Sequence, residues 1–246
     1  MSGALAGRLA LVTGASRGIG RAVARRFAAE GATVIAAARH GAALDSLMDE
    51  IAADGSAEGV IADLDLTDAT SIDALADRVR ERYGRLDILV GNAATAGEAV
   101  DAREQDPSDF DDVLRVNVTA NQALIRAFDP LLQASQAGRA VFVTSGLAHR
   151  PMSHMVAYCA SKAALEVLIR AYAGDVAETP VRANLLDPGV VNTVLFRSAM
   201  PESDTSVMKG PEAVADAFVA LARPAETRTG QTLSWKDLAA EPGQPA

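Results

Sequence analysis

Short, largely apolar runs alternate along this chain with longer stretches in which apolar residues recur every three or four positions. The runs fall at 9–13, 33–37, 59–62, 86–90, 140–144, 182–186 and 231–234. A continuous apolar run is what a strand needs when both faces of its sheet are covered, and a 3.6-residue period marks a helix with one buried face. One helical stretch begins at Thr70, where Asp73 completes a capping box; it carries Ile72, Leu75, Ala76 and Val79 on one face and stops at Gly84. Strand–helix alternation throughout predicts an α/β fold: a Rossmann-type doubly wound parallel sheet of about seven strands, helices on both faces, with right-handed crossovers.

The pattern shows no internal repeat, low-complexity tract or linker, so residues 1–246 read as a single domain. The tail from about 238, ending Glu241-Pro-Gly-Gln-Pro-Ala246, is expected to be flexible. Residues 192–210 form the one long stretch between strand and helix patterns. They read as a mobile flap, with Leu195, Phe196, Met200 and Met208 supplying apolar surface.

Composition narrows the class of partner. The chain is 49% hydrophobic but only 4% aromatic, which suits helices packed on a parallel sheet. A net charge of −9 argues against a nucleic-acid backbone or an anionic membrane surface as the main partner. No stretch approaches the roughly 18 apolar residues that span a bilayer, and the N-terminus lacks a signal-peptide layout. The lone Cys159 rules out an internal disulfide and fits a reducing compartment. A cytoplasmic location is expected.

The first predicted strand runs into Thr13-Gly14-Ala15-Ser16-Arg17-Gly18-Ile19-Gly20, and a helix follows. Glycines permit a tight turn and close backbone approach, and a helix N-terminus offers unpaired N–H groups to an anion. A dinucleotide pyrophosphate is the natural guest. The end of the second strand then selects the dinucleotide. Where an NAD enzyme carries an acidic residue, this chain has Ala38 followed by Arg39. With Arg17, two guanidinium groups are placed to meet a 2′-phosphate with no opposing carboxylate, so NADP(H) is favoured over NAD(H).

Tyr158 and Lys162 stand one helical turn apart, thirteen residues beyond Ser145. A cationic neighbour favours a phenolate, so the pair predicts a tyrosine whose pKa falls towards working pH, suited to proton exchange with an alcohol or carbonyl oxygen. The choice of residue adds weight, because the chain has three Lys against twenty Arg and still places a compact ammonium at 162.

Taken in order, these motifs resemble the short-chain dehydrogenases/reductases from about Arg8 to Gly230. The turn matches the family's T-G-x-x-x-G-I-G in full. Asp65-Leu66 matches the element that commonly contacts adenine; Asn92-Ala93, followed by Ala94, falls where the family has N-N-A-G; and the segment Pro188-Gly189 through Val191 to Thr193 matches the one bordering the nicotinamide carboxamide. Asn117 matches the helix asparagine of a catalytic set completed by Ser145, Tyr158 and Lys162. The resemblance implies that Tyr158 exchanges a proton with the substrate oxygen and that Ser145 hydrogen-bonds the same oxygen. It further implies that Lys162 holds the nicotinamide ribose and that Asn117 anchors a water leading to solvent. It also implies a homo-dimer or homo-tetramer paired through the helices around 109–132 and 155–179.

Some positions depart from the family pattern. Gly91 and Ala94 alter the asparagine motif, which is expected to adjust locally without loss of binding. Asp187 precedes Pro188-Gly189 where a neutral residue is usual: pointing inward it would meet a polar substrate group, pointing outward it would bond nearby backbone. The frequent Asp-Gly-Gly near the C-terminus is missing, the chain reading Gly230-Gln-Thr-Leu-Ser-Trp235. His149 and His154 lack the further ligands a metal would need and read as partly exposed loop residues. Cys159 reads as packing, and Asp106, Asp109, Asp111 and Asp112 as acidic decoration of a helix start.

The expected function is hydride transfer between NADP(H) and a carbonyl/secondary-alcohol pair, with reduction of a ketone or 3-oxo compound favoured. Alternatives are an NAD-dependent alcohol or sugar dehydrogenase, a 3-oxoacyl carrier protein reductase, for which Arg103, Arg126 and Arg150 establish no basic patch, and a non-catalytic nucleotide-binding regulator.

Overall fold

A computed structural model describes residues 3–39, 41–53 and 58–239. Seven parallel strands are β1 (Leu9–Thr13), β2 (Thr33–Ala38), β3 (Gly59–Asp63), β4 (Ile88–Gly91), β5 (Arg139–Val143), β6 (Arg182–Asp187) and β7 (Thr232–Ser234), in the spatial order β3-β2-β1-β4-β5-β6-β7. The helices are α1 (Gly18–Ala29), α2 (Ala42–Ala53), α3 (Ala69–Tyr83), α4 (Pro107–Leu114), α5 (Ala120–Gln133), α6 (Val156–Asp175), α7 (Val194–Ala199), α8 (Ala215–Ala222) and α9 (Trp235–Ala239). Every expected run is a strand, shifted at its ends by at most two residues.

The central strands feed two cores, which explains their largely apolar runs. Ala10 and Val12 of β1 face a core of α1, α2 and α8, including Phe27, Leu44, Leu47 and Phe218. Leu9 and Leu11 face the other side, where Ile72, Leu124, Phe128, Leu165 and Ile169 come from α3, α5 and α6. No helix among the described residues is long and apolar enough to cross a membrane.

Local chemistry sets the helix ends. The N-cap of α3 is Asp68, not Thr70: its carboxylate accepts from Thr70 N at 2.9 Å and Thr70 Oγ1 at 2.6 Å. Asp73 instead pairs with Arg126 at 2.7 Å across to α5. The stop at Gly84 is as expected, with φ 72° in the left-handed region that glycine adopts without strain. Asp106 caps α4, accepting from Ser108 N at 2.7 Å ahead of Pro107 at the first helical turn. The 192–210 stretch contains the short helix α7, capped by Thr193, and is closed at its base by Asn192 N donating to Lys209 O at 3.0 Å. Of the expected tail, Leu238 is buried in α9, and residues 240–246 lie outside the described residues.

Candidate functional site

Two features meet at the carboxyl ends of the strands, where doubly wound sheets bind ligands. The first is the turn from β1 into α1. Gly14 (φ 66°) and Gly18 (φ 57°) take left-handed conformations there. A Cβ on Gly20 would lie 2.4 Å from Gly14 O and 2.5 Å from Asn92 Nδ2, so the turn closes only without one. Asn92 braces it: Nδ2 donates to Thr13 O at 2.9 Å, while Asn92 N and Ala93 N donate to Thr13 Oγ1. No side chain caps α1, and its first turn holds no acidic residue, which leaves the N-terminal N–H groups to an anionic guest. Ser16 and Ile19 are half-buried beside this turn, Ala94 follows Asn92-Ala93 along its rim, and Thr193 Cγ2 approaches a Cβ built on Gly18 at 3.5 Å. These residues fit a dinucleotide.

Arg17 and Arg39 are both exposed at this end. The expectation of no opposing carboxylate is corrected: Asp65 lies near enough to Arg39 for the guanidinium to help lower its pKa, after hydrogen bonds from Thr67 N and Thr67 Oγ1 to Asp65 Oδ1. β3 runs beside β2, and this brings residues 65 and 39 together. Leu66 packs partly buried against the core. Gly91 is explained by its neighbours, since a Cβ there would meet Phe142 Cδ1 at 2.3 Å and Asn121 Oδ1 at 2.6 Å.

The second feature is the Ser145–Tyr158–Lys162 set. Ser145 follows β5 and caps a single 3₁₀ turn, its Oγ accepting from Leu147 N at 3.2 Å. α6 presents Tyr158, Lys162 and Glu166 on one face. Lys162 is fully buried; its Nζ donates to Val143 O at 2.8 Å and lies 5.6 Å from the Tyr158 ring centroid. Here the expected pKa fall is overturned. Burial pushes the Tyr158 phenol up to about 12, against the contrary pull of the Ser145 hydroxyl and with a further rise from the Asp187 charge. Burial likewise brings Lys162 down to about 8. Loss of water outweighs the proximity of the two groups.

Asn117 stands in a π-helical turn, Arg115–Thr119, a widened geometry common at functional sites. Its Nδ2 donates to Thr95 O at 2.8 Å and Ser161 Oγ at 2.9 Å, its Oδ1 accepts from Thr95 N, and its carbonyl accepts from Asn121 Nδ2. It therefore ties the loop after β4 to α6. Pro188 and Val191 are buried and Gly189 (φ 62°) is exposed along the turn that follows β6. Asp187 does bond nearby backbone, accepting from Gly189 N at 2.8 Å, yet its charge also reaches Tyr158.

Glu166 escaped the sequence reading. Its side chain is 1% exposed; Oε1 accepts from Thr144 Oγ1 at 2.9 Å, while His149 Nε2 and Arg170 Nη2 each lie 2.7 Å from Oε2. Thr144 and His149 bracket Ser145, so one buried carboxylate braces that segment. The signal was present as Tyr158, Lys162, Glu166, a third residue at the same four-residue step. His154, exposed as expected, adopts φ 64° and sits 3.2 Å from Asp101. Cys159 is buried and packs with Ala96, Met155 and Ala199 in a cluster that Tyr158, Leu147, Leu195 and Met200 join. Beside it a cavity of about 550 Å³ is lined by Leu147, Pro151, Met152 and His154, among others.

A parallel seven-stranded sheet in this order, with a glycine turn after its first strand, defines a doubly wound nucleotide-binding fold. The short chain dehydrogenase family model matches residues 8–204, and the chain belongs to that family of oxidoreductases. The oxidoreductase YciK of Escherichia coli is 35% identical over 240 residues, covering 96% of this chain and 93% of the relative. The solved structure of YciK superposes with a TM-score of 0.90 at 33% identity, over 96% of this chain and 98% of that one. An NADPH-dependent pterin aldehyde reductase of Arabidopsis thaliana is 35% identical over 85% of each chain. The 3-oxoacyl-[acyl-carrier-protein] reductase FabG of Escherichia coli is 30% identical over 92% of this chain and 95% of its own. A short chain dehydrogenase of Shigella flexneri, solved in complex with NADP, gives a TM-score of 0.90 at 33% identity over 96% of this chain and all of that one.

Proposed function

We propose that the protein is an NADP(H)-dependent reductase of a ketone or 3-oxo compound in which Tyr158 delivers the proton. The observation that carries this reading is the gathering of Tyr158, Ser145 and buried Lys162 at the strand ends that also hold the glycine turn. The NADPH-dependent and NADP-bound relatives support the choice of cofactor.

In this reading Gly14, Ser16, Arg17, Gly18, Ile19 and Gly20 hold the phosphates, and Arg39 meets the 2′-phosphate. Asp65 and Leu66 border the adenine, with Asn92, Ala93 and Ala94 beside its ribose. Pro188, Gly189, Val191 and Thr193, with Tyr158 and Lys162, hold the nicotinamide end. Bound there, the cofactor supplies a hydride to the carbonyl carbon. Ser145 and Tyr158 hydrogen-bond the carbonyl oxygen, so charge developing on it is stabilised by groups already in place. A phenol held near 12 stays protonated at neutral pH, the form that donates to that oxygen. The Lys162 ammonium faces the negative charge left on Tyr158 once its proton is given up, and Asn117 holds the Ser161 hydroxyl and the Thr95 backbone.

The carrier-protein alternative needs several free basic side chains; of Arg103, Arg126 and Arg150, the first two are paired with Asp101 and Asp73, and only Arg150 is exposed without an ion pair among the described residues. Self-association through α5 and α6 belongs to the same reading; Val167, 67% exposed on α6, supplies apolar surface for it.

The test is NADPH consumption against a panel of ketones, aldehydes and 3-oxo esters, with NADH in parallel and the alcohol product quantified. Carbonyl-dependent oxidation of NADPH matched one-to-one by alcohol is expected. Tight NADPH binding with no turnover across the panel would refute a reductase and leave the regulator alternative standing.

A further inference from the structure

Asp187 ends β6 at the edge of the sheet where Ser145 follows β5. Thr144 N donates to Leu186 O at 3.0 Å and Val143 is in register with Leu186, so Asp187 comes level with Thr144, one residue before Ser145. Only one oxygen of the carboxylate is engaged, Oδ1, which accepts from Gly189 N. Oδ2 receives no hydrogen bond from the described residues and borders the space over Gly146, lying 3.4 Å from where a Cβ would stand.

Nor is the charge neutralised. Asp187 makes no ion pair among the described residues. Arg150 Nη2 borders the same point over Gly146 at 3.3 Å, but Arg150 is exposed and outside pairing distance of the carboxylate. Lys209 donates to Val190 O at 2.7 Å and lies 4.4 Å from the Trp235 ring centroid. The field of Asp187 is felt at both Tyr158 and Lys209. The phenol packs against an apolar cluster of Ala96, Leu147, Met155, Leu195, Ala199 and Met200, and the adjoining cavity is also lined by Asp101, Ser153 and His154. A half-buried carboxylate with a free oxygen thus stands near enough to the proton donor for its charge to be felt there.

We propose that Asp187 determines substrate choice: the protein reduces carbonyl compounds that carry a hydroxyl or ammonium group near the carbonyl, and discriminates against those that carry a carboxylate there. This rests on the reading of Tyr158 as proton donor. A hydroxyl or ammonium gives Oδ2 its missing partner, whereas a second carboxylate brings like charges together in a poorly hydrated site.

The experiment measures kcat/KM with NADPH for four ketones of equal chain length, with a methyl, hydroxyl, ammonium or carboxylate group at the same position. The wild-type protein is expected to favour the ammonium over the carboxylate ketone by about tenfold or more, the advantage shrinking as salt is raised. Asp187→Asn is expected to reduce that ratio by about tenfold, chiefly through KM. A wild-type preference for the carboxylate ketone would assign the mouth to Arg150 and overturn the proposal. A ratio indifferent to both salt and Asp187→Asn would overturn it as well, and reduction of the methyl ketone would show that the Tyr158 reading survives. If none of the four is reduced, that reading falls and the proposal falls with it. The salt series needs only the wild-type chain, so a poorly folding variant does not remove the test.

Discussion

Glu166→Ala probes the brace behind Ser145. The carboxylate is 1% exposed and holds three groups, Thr144 Oγ1, His149 Nε2 and Arg170 Nη2. Thr144 is itself 1% exposed, so its hydroxyl would be left without a partner at a cost of about 1–3 kcal/mol. The side chains of His149 and Arg170 are 57% and 43% exposed, so water replaces much of what each loses and each lost contact adds at most about 1 kcal/mol. Removing a buried carboxylate also relieves its own desolvation, which offsets part of the sum. The net expectation is a loss of about 2–3 kcal/mol. Urea unfolding would show it as a lower midpoint at unchanged slope. Glu166→Gln keeps an acceptor for Thr144 and should lose only about half as much. In conditions where both variants are folded, kcat should fall further for alanine than for glutamine, because Thr144 and His149 flank Ser145. An alanine variant within about 0.5 kcal/mol of wild type, or a glutamine variant as damaged as alanine, would refute the brace.

Two further outcomes follow from burial and charge. Lys162→Met should abolish turnover yet raise stability at neutral pH by roughly 2–3 kcal/mol, because the folded chain carries an ammonium whose pKa is about 8 against 10.5 when free. In this case the folded pKa is depressed, so the cost is full below about pH 8 and fades as pH rises to 10.5, where the unfolded chain still binds the proton; a difference flat over that range would contradict the burial account. Arg39→Asp should weaken NADPH by about 10–100-fold without weakening NADH, read by fluorescence titration, and an unchanged ratio of the two affinities would remove Arg39 from cofactor selection.

The sheet was legible because both faces are covered: Leu9 and Leu11 go one way, Ala10 and Val12 the other, so residues 9–12 are all apolar. Close-range motifs such as the glycine turn were equally legible, since their geometry is set by adjacent residues. The α3 cap was misread because Asp73 is too short to serve as the return arm of a capping box, while Asp68 reaches Thr70 N two residues on. What sequence could not supply was solvent. Spacing placed Lys162 beside Tyr158 correctly, but the direction of both pKa shifts depends on how much water the fold removes. Contacts between distant segments were also hidden: Asp65 near Arg39, Asn117 with Ser161, and Glu166 with Thr144 arise from strand order. Asp187 could be read as inward or outward; it bonds backbone with one oxygen and keeps the other beside the site.

The central claim is that Tyr158 is the proton donor to a carbonyl oxygen. Tyr158→Phe removes one oxygen and leaves the ring that packs with Leu147, Leu195 and Met200. The decisive measurement is single-turnover oxidation of bound NADPH by a ketone that the wild-type protein reduces, with NADPH affinity titrated on the same sample. Tyr158→Phe is expected to be at least about 1,000-fold slower with NADPH affinity within a few-fold of wild type. A phenylalanine variant that binds NADPH and still reduces the ketone at near wild-type rate would contradict the claim.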